Sequence, residues 1–405
     1  MTKHKITIRK IIICDYLLNL LRIVFFFSLT VLGMMPKANG QNISEDNITV
    51  SQVFTRVRAH EFHPLNEDNS FTIDRNLQVN GIADLNNDDW RIRLLAVRDL
   101  VRAGTNDINE IRKGLMDQSA HVRQVSAMAL GILGAKSAIG DLEQILREDK
   151  NVMVRSQTVI ALGQIESKNS LNLLREKLID DPSRDVRHQC ELAIDQIEKQ
   201  MGTTRKLISS FLSLDESSFE SVQAGSQAPN FVLEDTEGTE WQLQDFRDEK
   251  WVVLIWVFAD WCPVCHGEFR ELMKMQEDFQ KEGVQVFTLE IHDQYRGRVM
   301  VGKELDPTYW FSKESFQKSY TEQIYWPHLL DRAGAVGAQF GVDPMAYAVH
   351  AEYINRPATI IIDMDGVVRF TYYGTFWGDR PTIEETLEMI KTENFSFEHH
   401  QRLKK

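Results

Sequence analysis

Four apolar-arginine pairs, Ile92-Arg93, Val122-Arg123, Val154-Arg155 and Val186-Arg187, recur along the chain at spacings of 30, 32 and 32 residues. A period of this length means one supersecondary unit stacked upon itself, because a single unit of that size cannot bury its own apolar face. Five residues before each pair stands Asn87, Asp117, Asp149 or Asp181, side chains suited to capping a helix start. Eight residues after each apolar member stands Leu100, Leu130, Leu162 or Ile194, as a buried helical face requires. Each unit therefore reads as two helices, and Gly131 and Gly163 fall where an antiparallel pair is expected to turn. The recurring arginines are expected to bridge to the Asp of a neighbouring unit. Cys190 occupies the slot of Ser126 and Thr158, so it reads as a small buried residue.

The pattern over about residues 85–200 resembles the short HEAT-like repeats of phycobilisome lyases. That resemblance implies an all-α solenoid over residues 87–200, and a surface for a protein partner. A solenoid of this size leaves about half of the 405 residues for other domains, so the chain is multi-domain. Hydrophobic residues are 43 % and charged ones 26 %, which suits folded soluble domains. The net charge of -13 is the wrong sign for neutralising phosphates, so nucleic acid is excluded as an expected partner.

The first forty residues read as a signal peptide. Lys3, Lys5, Arg9 and Lys10 precede a largely apolar run of thirteen residues, Ile23 to Met35, and Ala38-Asn39-Gly40 offers small residues for cleavage before Gln41. The run is short for a membrane span of about 20 residues. An uncleaved anchor would need Ile11 to Arg22, which contains Asp15, Asn19 and Arg22. The expected location is therefore periplasmic or extracellular, with no stable membrane span after cleavage, or membrane-anchored if the segment is retained. Residues 41–86 read as an Asn-rich leader, in which His60, Glu61 and His63 lack the spacing of a metal site. The sequons at Asn42, Asn47 and Asn394 matter only in a host that glycosylates.

Four cysteines in a chain of this length exclude a disulfide-stapled scaffold, and Cys262 and Cys265 form its C-x-x-C pair. Residues 201–224 read as a serine-spotted linker, and a new domain begins near residue 225. Trp251 to Phe258 is a continuous apolar run of strand length. Gly267 to Lys281 carries Phe269, Leu272, Met273, Met275 and Phe279 with helical recurrence. The dithiol therefore lies where a buried strand turns into a helix. There the helix dipole and free N–H groups are expected to lower the pKa of Cys262, with Cys265 protected one turn on. Pro263 suits the first helical turn, where its missing N–H is no loss. Val284 to Ile291, Thr359 to Asp363 and Val367 to Tyr373 read as further strands, with Asp365-Gly366 a hairpin turn, and Ile383 to Ile390 as a closing helix.

This order is that of a thioredoxin fold, and residues 225–395 resemble its redoxin branch, which includes thiol-disulfide oxidoreductases and AhpC/TSA peroxiredoxins. The resemblance rests on Ala228-Pro229-Asn230-Phe231, on Trp261-Cys262-Pro263-Val264-Cys265 with Glu268, and on Arg356-Pro357-Ala358-Thr359 before Ile360-Ile361-Ile362-Asp363. It implies that Cys262 is the nucleophile, Cys265 the resolving thiol and Pro357 a cis-proline facing the dithiol. Trp261, Pro263, Glu268 and Arg356 are supporting candidates. Trp256 stands where many thioredoxins place a buried acid, which leaves Glu268 or water to move the proton of Cys265. Two insertions, 293–326 and 343–353, carry aromatic residues, among them Tyr309, Trp310, Phe311, Phe316, Tyr320, Tyr347 and Tyr353. They read as a satellite core or as a substrate wall near Pro357. Residues 396–405 form a charged tail.

The expected activity is thiol-disulfide exchange with a protein disulfide substrate or redox partner, using no cofactor and no metal. The alternatives are a peroxiredoxin-type peroxidase, a structural disulfide, and a non-enzymatic scaffold. The peroxidatic Pro-x-x-x-Thr-x-x-Cys pattern is absent, since Ile255 and Ala259 occupy its Pro and Thr positions. The peroxidatic Arg would fall on Pro357, with Arg356 adjacent.

Overall fold

The computed structural model describes residues 84–85, 87, 89–304, 324–374 and 379–397, all within one compact unit, Val57–Lys405. The signal segment, most of the leader with His60, Glu61 and His63, the aromatic residues from Tyr309 to Tyr320, and residues 398–405 lie outside the described residues.

The repeats form four helix pairs: α1 (Trp90–Gly104) with α2 (Ile108–Gly114), α3 (Ala120–Ile132) with α4 (Ile139–Glu148), α5 (Val152–Gln164) with α6 (Leu171–Asp180), and α7 (Arg184–Glu198) with α8 (Arg205–Leu212). The last of these occupies part of the expected linker. Leu207 and Phe211 on α8, followed by Leu214 and Phe219, complete the helical core, so the solenoid runs beyond residue 200.

The caps lie two residues later than the spacing suggested. Asp89, Ser119, Asn151 and Ser183 cap the first helix of each pair. Asn87, Asp117, Asp149 and Asp181 instead accept the backbone N–H of those capping residues, at 2.9, 2.7, 2.8 and 2.9 Å. Of these side chains, the Asp149 and Asp181 carboxylates also take two of the expected bridges, whereas Arg93 turns to the Asn87 carbonyl and to Asp343. Arg123 reaches Asp149 at 2.6 and 3.1 Å, and Arg155 reaches Asp181 at 2.9 Å twice. Each such fork ties one unit to the next by two parallel bonds.

Gly131 and Gly163 are not turn residues. Both lie inside helices, and the left-handed conformation that ends each helix belongs to Gly134 and Glu166. The two glycines allow helices to approach: a Cβ on Gly131 would come 2.8 Å from Ala161 Cα, and one on Gly163 would come 3.2 Å from Ala193 Cα. Cys190 is fully buried as expected, and burial raises its thiol.

The second half is a thioredoxin-like α/β domain. A short hairpin, β1 (Val232–Glu234) and β2 (Glu240–Gln242), precedes the central strand β3 (Trp251–Trp256). Next come α9 (Pro263–Lys274), α10 (Gln276–Lys281), β4 (Val284–Glu290), α11 (Gln294–Met300), β5 (His328–Leu330) and α12 (Ala335–Gln339). A second hairpin, β6 (Tyr347–Val349) and β7 (Glu352–Ile354), comes from the insertion 343–353. Then follow β8 (Ala358–Ile362), β9 (Val368–Tyr373) and α13 (Ile383–Thr392). The main sheet has the order β5-β4-β3-β8-β9, with β4 parallel and β8 antiparallel to β3. The apolar run of β3 is explained by its central place, since Leu254 pairs with Phe287 on one side and Ile360 on the other.

The two halves share a seam. Ala333, Ala338 and Met345 enter the hydrophobic core of the repeats. Tyr353 bonds to His121 at 2.5 Å, Tyr295 to Asp195 at 3.0 Å, and the Thr204 N–H to Asp293 at 3.0 Å. Tyr353 thus faces the repeats, whereas Tyr347 packs on Phe258 with ring centroids 5.4 Å apart.

Candidate active site

The dithiol loop begins where β3 ends, and Cys262 is the N-cap of α9, with Pro263 at its first position. The Cys262 sulfur accepts the backbone N–H of Cys265 at 3.3 Å. The two sulfurs stand 2.8 Å apart as free thiols, close enough to share one proton. Both cysteines are fully buried.

The charge distribution differs from the helix-dipole expectation. Burial opposes ionisation of Cys262, and the neighbouring Cys265 sulfur adds to it, so the Cys262 thiol is pushed up. Burial also works against Cys265, but the Cys262 thiol, the Arg380 guanidinium and the backbone N–H groups of Phe258 and Ala259 outweigh it and bring Cys265 down to about 6. The Phe258 N–H lies 3.3 Å from the Cys265 sulfur. One helix-start N–H on Cys262 is thus outbid by a cation and two amides on Cys265.

Arg380, just ahead of α13, supplies that cation. It is 2 % exposed, donates to the carbonyl of Trp256, pairs with Glu268 on α9, and places Nη2 3.8 Å from the Cys265 sulfur. The Glu268 carboxylate is therefore held beside Cys265 through a shared guanidinium.

The other side of the loop is clamped by Arg296 on α11. Its guanidinium forks onto Asp260 at 2.5 and 2.8 Å and onto Glu352 at 3.1 and 3.2 Å. Burial would raise the Asp260 carboxyl, but the Arg296 charge holds it below its ordinary value. Glu352 in turn accepts the indole N–H of Trp261 at 2.6 Å. His350 stacks edge-on against Trp261 at 4.6 Å and reaches Asp185 of the repeats at 3.2 Å. The residue preceding Cys262 is thus fixed from both halves of the protein.

Pro357 lies one position before Ala358, which pairs with Trp256 at the end of β3. The sheet register therefore brings it to the dithiol loop. Its peptide bond is not the expected cis bond: no peptide bond among the described residues is cis. The Arg356 N–H donates to the Asp343 carbonyl at 2.8 Å, and Asn355 Nδ2 donates to the carbonyls of Val257 at 2.7 Å and Arg356 at 3.0 Å, contacts that fix the trans segment. The Arg356 side chain faces Asp343 and Tyr347. Trp256, at the expected acid position, donates its indole N–H to Asp331 at 3.2 Å. Sequence reasoning missed Arg380, Arg296, Glu352 and His350, none of which sits in a motif, and gave no role to Asp260, two residues before Cys262.

Fold and site together define a thioredoxin-like dithiol domain joined to helical repeats. Residues 224–371 match the AhpC/TSA family and residues 108–195 match HEAT repeats, so both expected parts are present. Thiol-disulfide oxidoreductase ResA of Geobacillus thermodenitrificans is 29 % identical over 170 residues, which is 42 % of this chain and 79 % of that protein. ResA of Bacillus subtilis is 27 % identical over 172 residues, 42 % and 78 % of the two chains. The thiol:disulfide interchange protein DsbE of Vibrio cholerae is 27 % identical over 162 residues, 40 % and 70 % of the two. Among solved structures, a reduced 2-Cys peroxiredoxin of Plasmodium vivax overlays with a TM-score of 0.34 and 20 % identity, covering 44 % of this chain and 83 % of that one.

Proposed function

We propose that the protein is an exported thiol-disulfide oxidoreductase that reduces or exchanges disulfides of a protein partner. The observation that carries this reading is the pair of free thiols 2.8 Å apart at a strand-to-helix junction, with charge stabilised on the inner one. Export rests on the signal layout of residues 1–40.

In the forward half-reaction Cys262 passes its proton across to the Cys265 thiolate and becomes the nucleophile. Its sulfur attacks one sulfur of the substrate disulfide, a mixed disulfide forms, and the other substrate sulfur leaves as a thiolate. Cys265, now protonated, gives its proton to Glu268 and attacks Cys262. That step releases the second substrate thiol and leaves a 262–265 disulfide. The substrate gains two electrons that the dithiol loses, and a thiol reductant restores the pair. Two features of the site serve these steps: Arg380 stabilises the Cys265 thiolate and orients Glu268, and the Arg296 clamp fixes the loop.

The test is turnover of insulin disulfides with dithiothreitol as reductant, alongside hydrogen peroxide consumption by the same preparation. Insulin reduction accelerated by the wild type and abolished in Cys262→Ser, with peroxide loss at background, is the expected result. Rapid peroxide consumption with a sulfenic acid on Cys262 would replace this reading with a peroxidase. N-terminal sequencing of the exported fraction should find Gln41 first.

A further inference from the structure

A nucleophile that must meet a disulfide of another protein needs a path to solvent, and Cys262 has none: it is 0 % exposed, and Trp261 beside it is 4 % exposed. The β6–β7 hairpin packs on the neighbours of both sulfurs. By strand alternation Tyr347 and Glu352 share one face of it, and Ala348 and Tyr353 the other. On the inner face Glu352 accepts the Trp261 indole N–H at 2.6 Å, and Tyr347 lies against Phe258, whose own N–H donates to the Cys265 sulfur. On the outer face the Tyr353 hydroxyl reaches His121 at 2.5 Å and Gln124 at 3.3 Å, both on α3 of the repeats. The hairpin thus lies between the repeats and the dithiol loop.

Two features make this hairpin the part that can move. Its strands pair with each other and with no other strand among the described residues, so lifting it breaks no bond of the main sheet. A lone two-stranded hairpin is marginally stable and depends on what it packs against. Its tip is also strained: His350 and Ala351 both adopt left-handed conformations, φ 49° and 59°, in a two-residue turn where glycine or asparagine is usual. Such strain persists only where surrounding contacts impose it. Here His350 meets Asp185 of α7 at 3.2 Å and stands edge-on to Trp261 at 4.6 Å. When Glu352 lifts away, Arg296 keeps its fork on Asp260, so the loop is uncovered without stranding the buried guanidinium.

We infer that the β6–β7 hairpin is a lid over the dithiol, held shut by the repeats through Asp185, His121 and Gln124, and that a protein disulfide reaches Cys262 only when the hairpin lifts. The inference rests on the reading above in naming that substrate, and its test reads the lid without disulfide exchange.

On the reduced full chain, alkylation of Cys262 by N-ethylmaleimide, followed by peptide mass spectrometry, is compared with amide hydrogen exchange of the hairpin. At equal thiolate content, fixed by ultraviolet absorbance, Cys262 should alkylate at least about tenfold more slowly than glutathione, a measurement that needs no variant to fold. The Asp185→Ala, Tyr353→Phe double variant, checked for fold by circular dichroism, removes the bonds from the repeats. It should speed both the exchange of residues 347–354 and the alkylation of Cys262 by at least about fivefold, as the loss of one ordinary hydrogen bond requires, and leave exchange of β3 and β8 unchanged. Wild-type Cys262 that alkylates as fast as glutathione would overturn the inference. A folded variant in which Cys262 alkylates no faster, or in which β3 and β8 exchange rises as much as that of the hairpin, would overturn it too. A shielded Cys262 that the double variant releases, with no insulin turnover, would leave the lid standing and remove the oxidoreductase reading. Insulin turnover with a freely alkylated Cys262 would do the reverse.

Discussion

Arg380 Nη2 stands 3.8 Å from the sulfur of Cys265, 115 residues earlier in the chain, while the same guanidinium pairs with Glu268. Removing this cation should leave burial of Cys265 poorly opposed. In the wild type, ultraviolet thiolate absorbance should titrate near about 6. In Arg380→Met the midpoint should rise by about one unit or more, and in Arg380→Lys it should fall between the two. The linkage has a definite sign. Because the folded-state value lies below the ordinary cysteine value of about 8.5, the thiolate's contribution to stability is full above that pH and is lost as pH falls through about 6. In chemical denaturation the stability difference between wild type and Arg380→Met should therefore narrow as pH falls through this window, leaving the part due to the Glu268 and Trp256 contacts.

The Arg155–Asp181 fork joins the third unit to the fourth with both side chains largely shielded. Deleting the arginine would strand a buried carboxylate, so Arg155→Ala should lose about 3 kcal/mol in urea denaturation. Arg175→Ala breaks an ion pair with Glu198 whose two side chains are about half exposed, and it should lose less than about 1 kcal/mol. Equal losses would show that the forks do not hold the solenoid together.

Gly131→Ala tests helix approach. Its methyl group would lie 2.8 Å from Ala161 Cα, a backbone atom of the next unit that cannot rotate away. Overpacking of this kind costs about 1–3 kcal/mol, whereas alanine for glycine in an open helix would stabilise by up to about 1 kcal/mol. Gly140→Ala is the control, because a Cβ there meets nothing within 4 Å. The two variants should shift the unfolding midpoint in opposite directions.

The contrast between these sites and the dithiol marks what the chain reveals by itself. The solenoid was legible because a period repeats its evidence four times, and the dithiol because Cys262 and Cys265 sit between an apolar strand and a periodic helix. Cap positions were legible only to within two residues, since Asp149 and Asn151 are both good caps and only the fork to Arg123 separates their roles. Gly131 and Gly163 read as turns because glycine serves turns and close approach alike. Arg380 and Arg296 carry no local signal: each is a single arginine made important by strands and helices that meet far along the chain. The insertion 343–353 reads as a satellite core or a substrate wall near Pro357, and its Tyr353 instead binds His121 of the repeats.

The assignment of roles within the dithiol makes the last prediction. Cys262 is the cap of α9 and Cys265 lies one turn inside, beside Arg380 and the Phe258 N–H. If Cys262 attacks and Cys265 resolves, Cys265→Ser removes release but not attack. That variant should accumulate mixed disulfides with partner proteins, visible on non-reducing gels and lost with dithiothreitol. It should also slow the attack, because the Cys265 thiolate that takes the Cys262 proton is gone. Adducts should therefore form faster as pH rises toward the raised value of Cys262. Cys262→Ser should give no adducts at any pH. Adducts that form on Cys262→Ser and not on Cys265→Ser would reverse the roles, as the low value of Cys265 alone would allow. Mass spectrometry of the trapped species identifies which sulfur carries the partner.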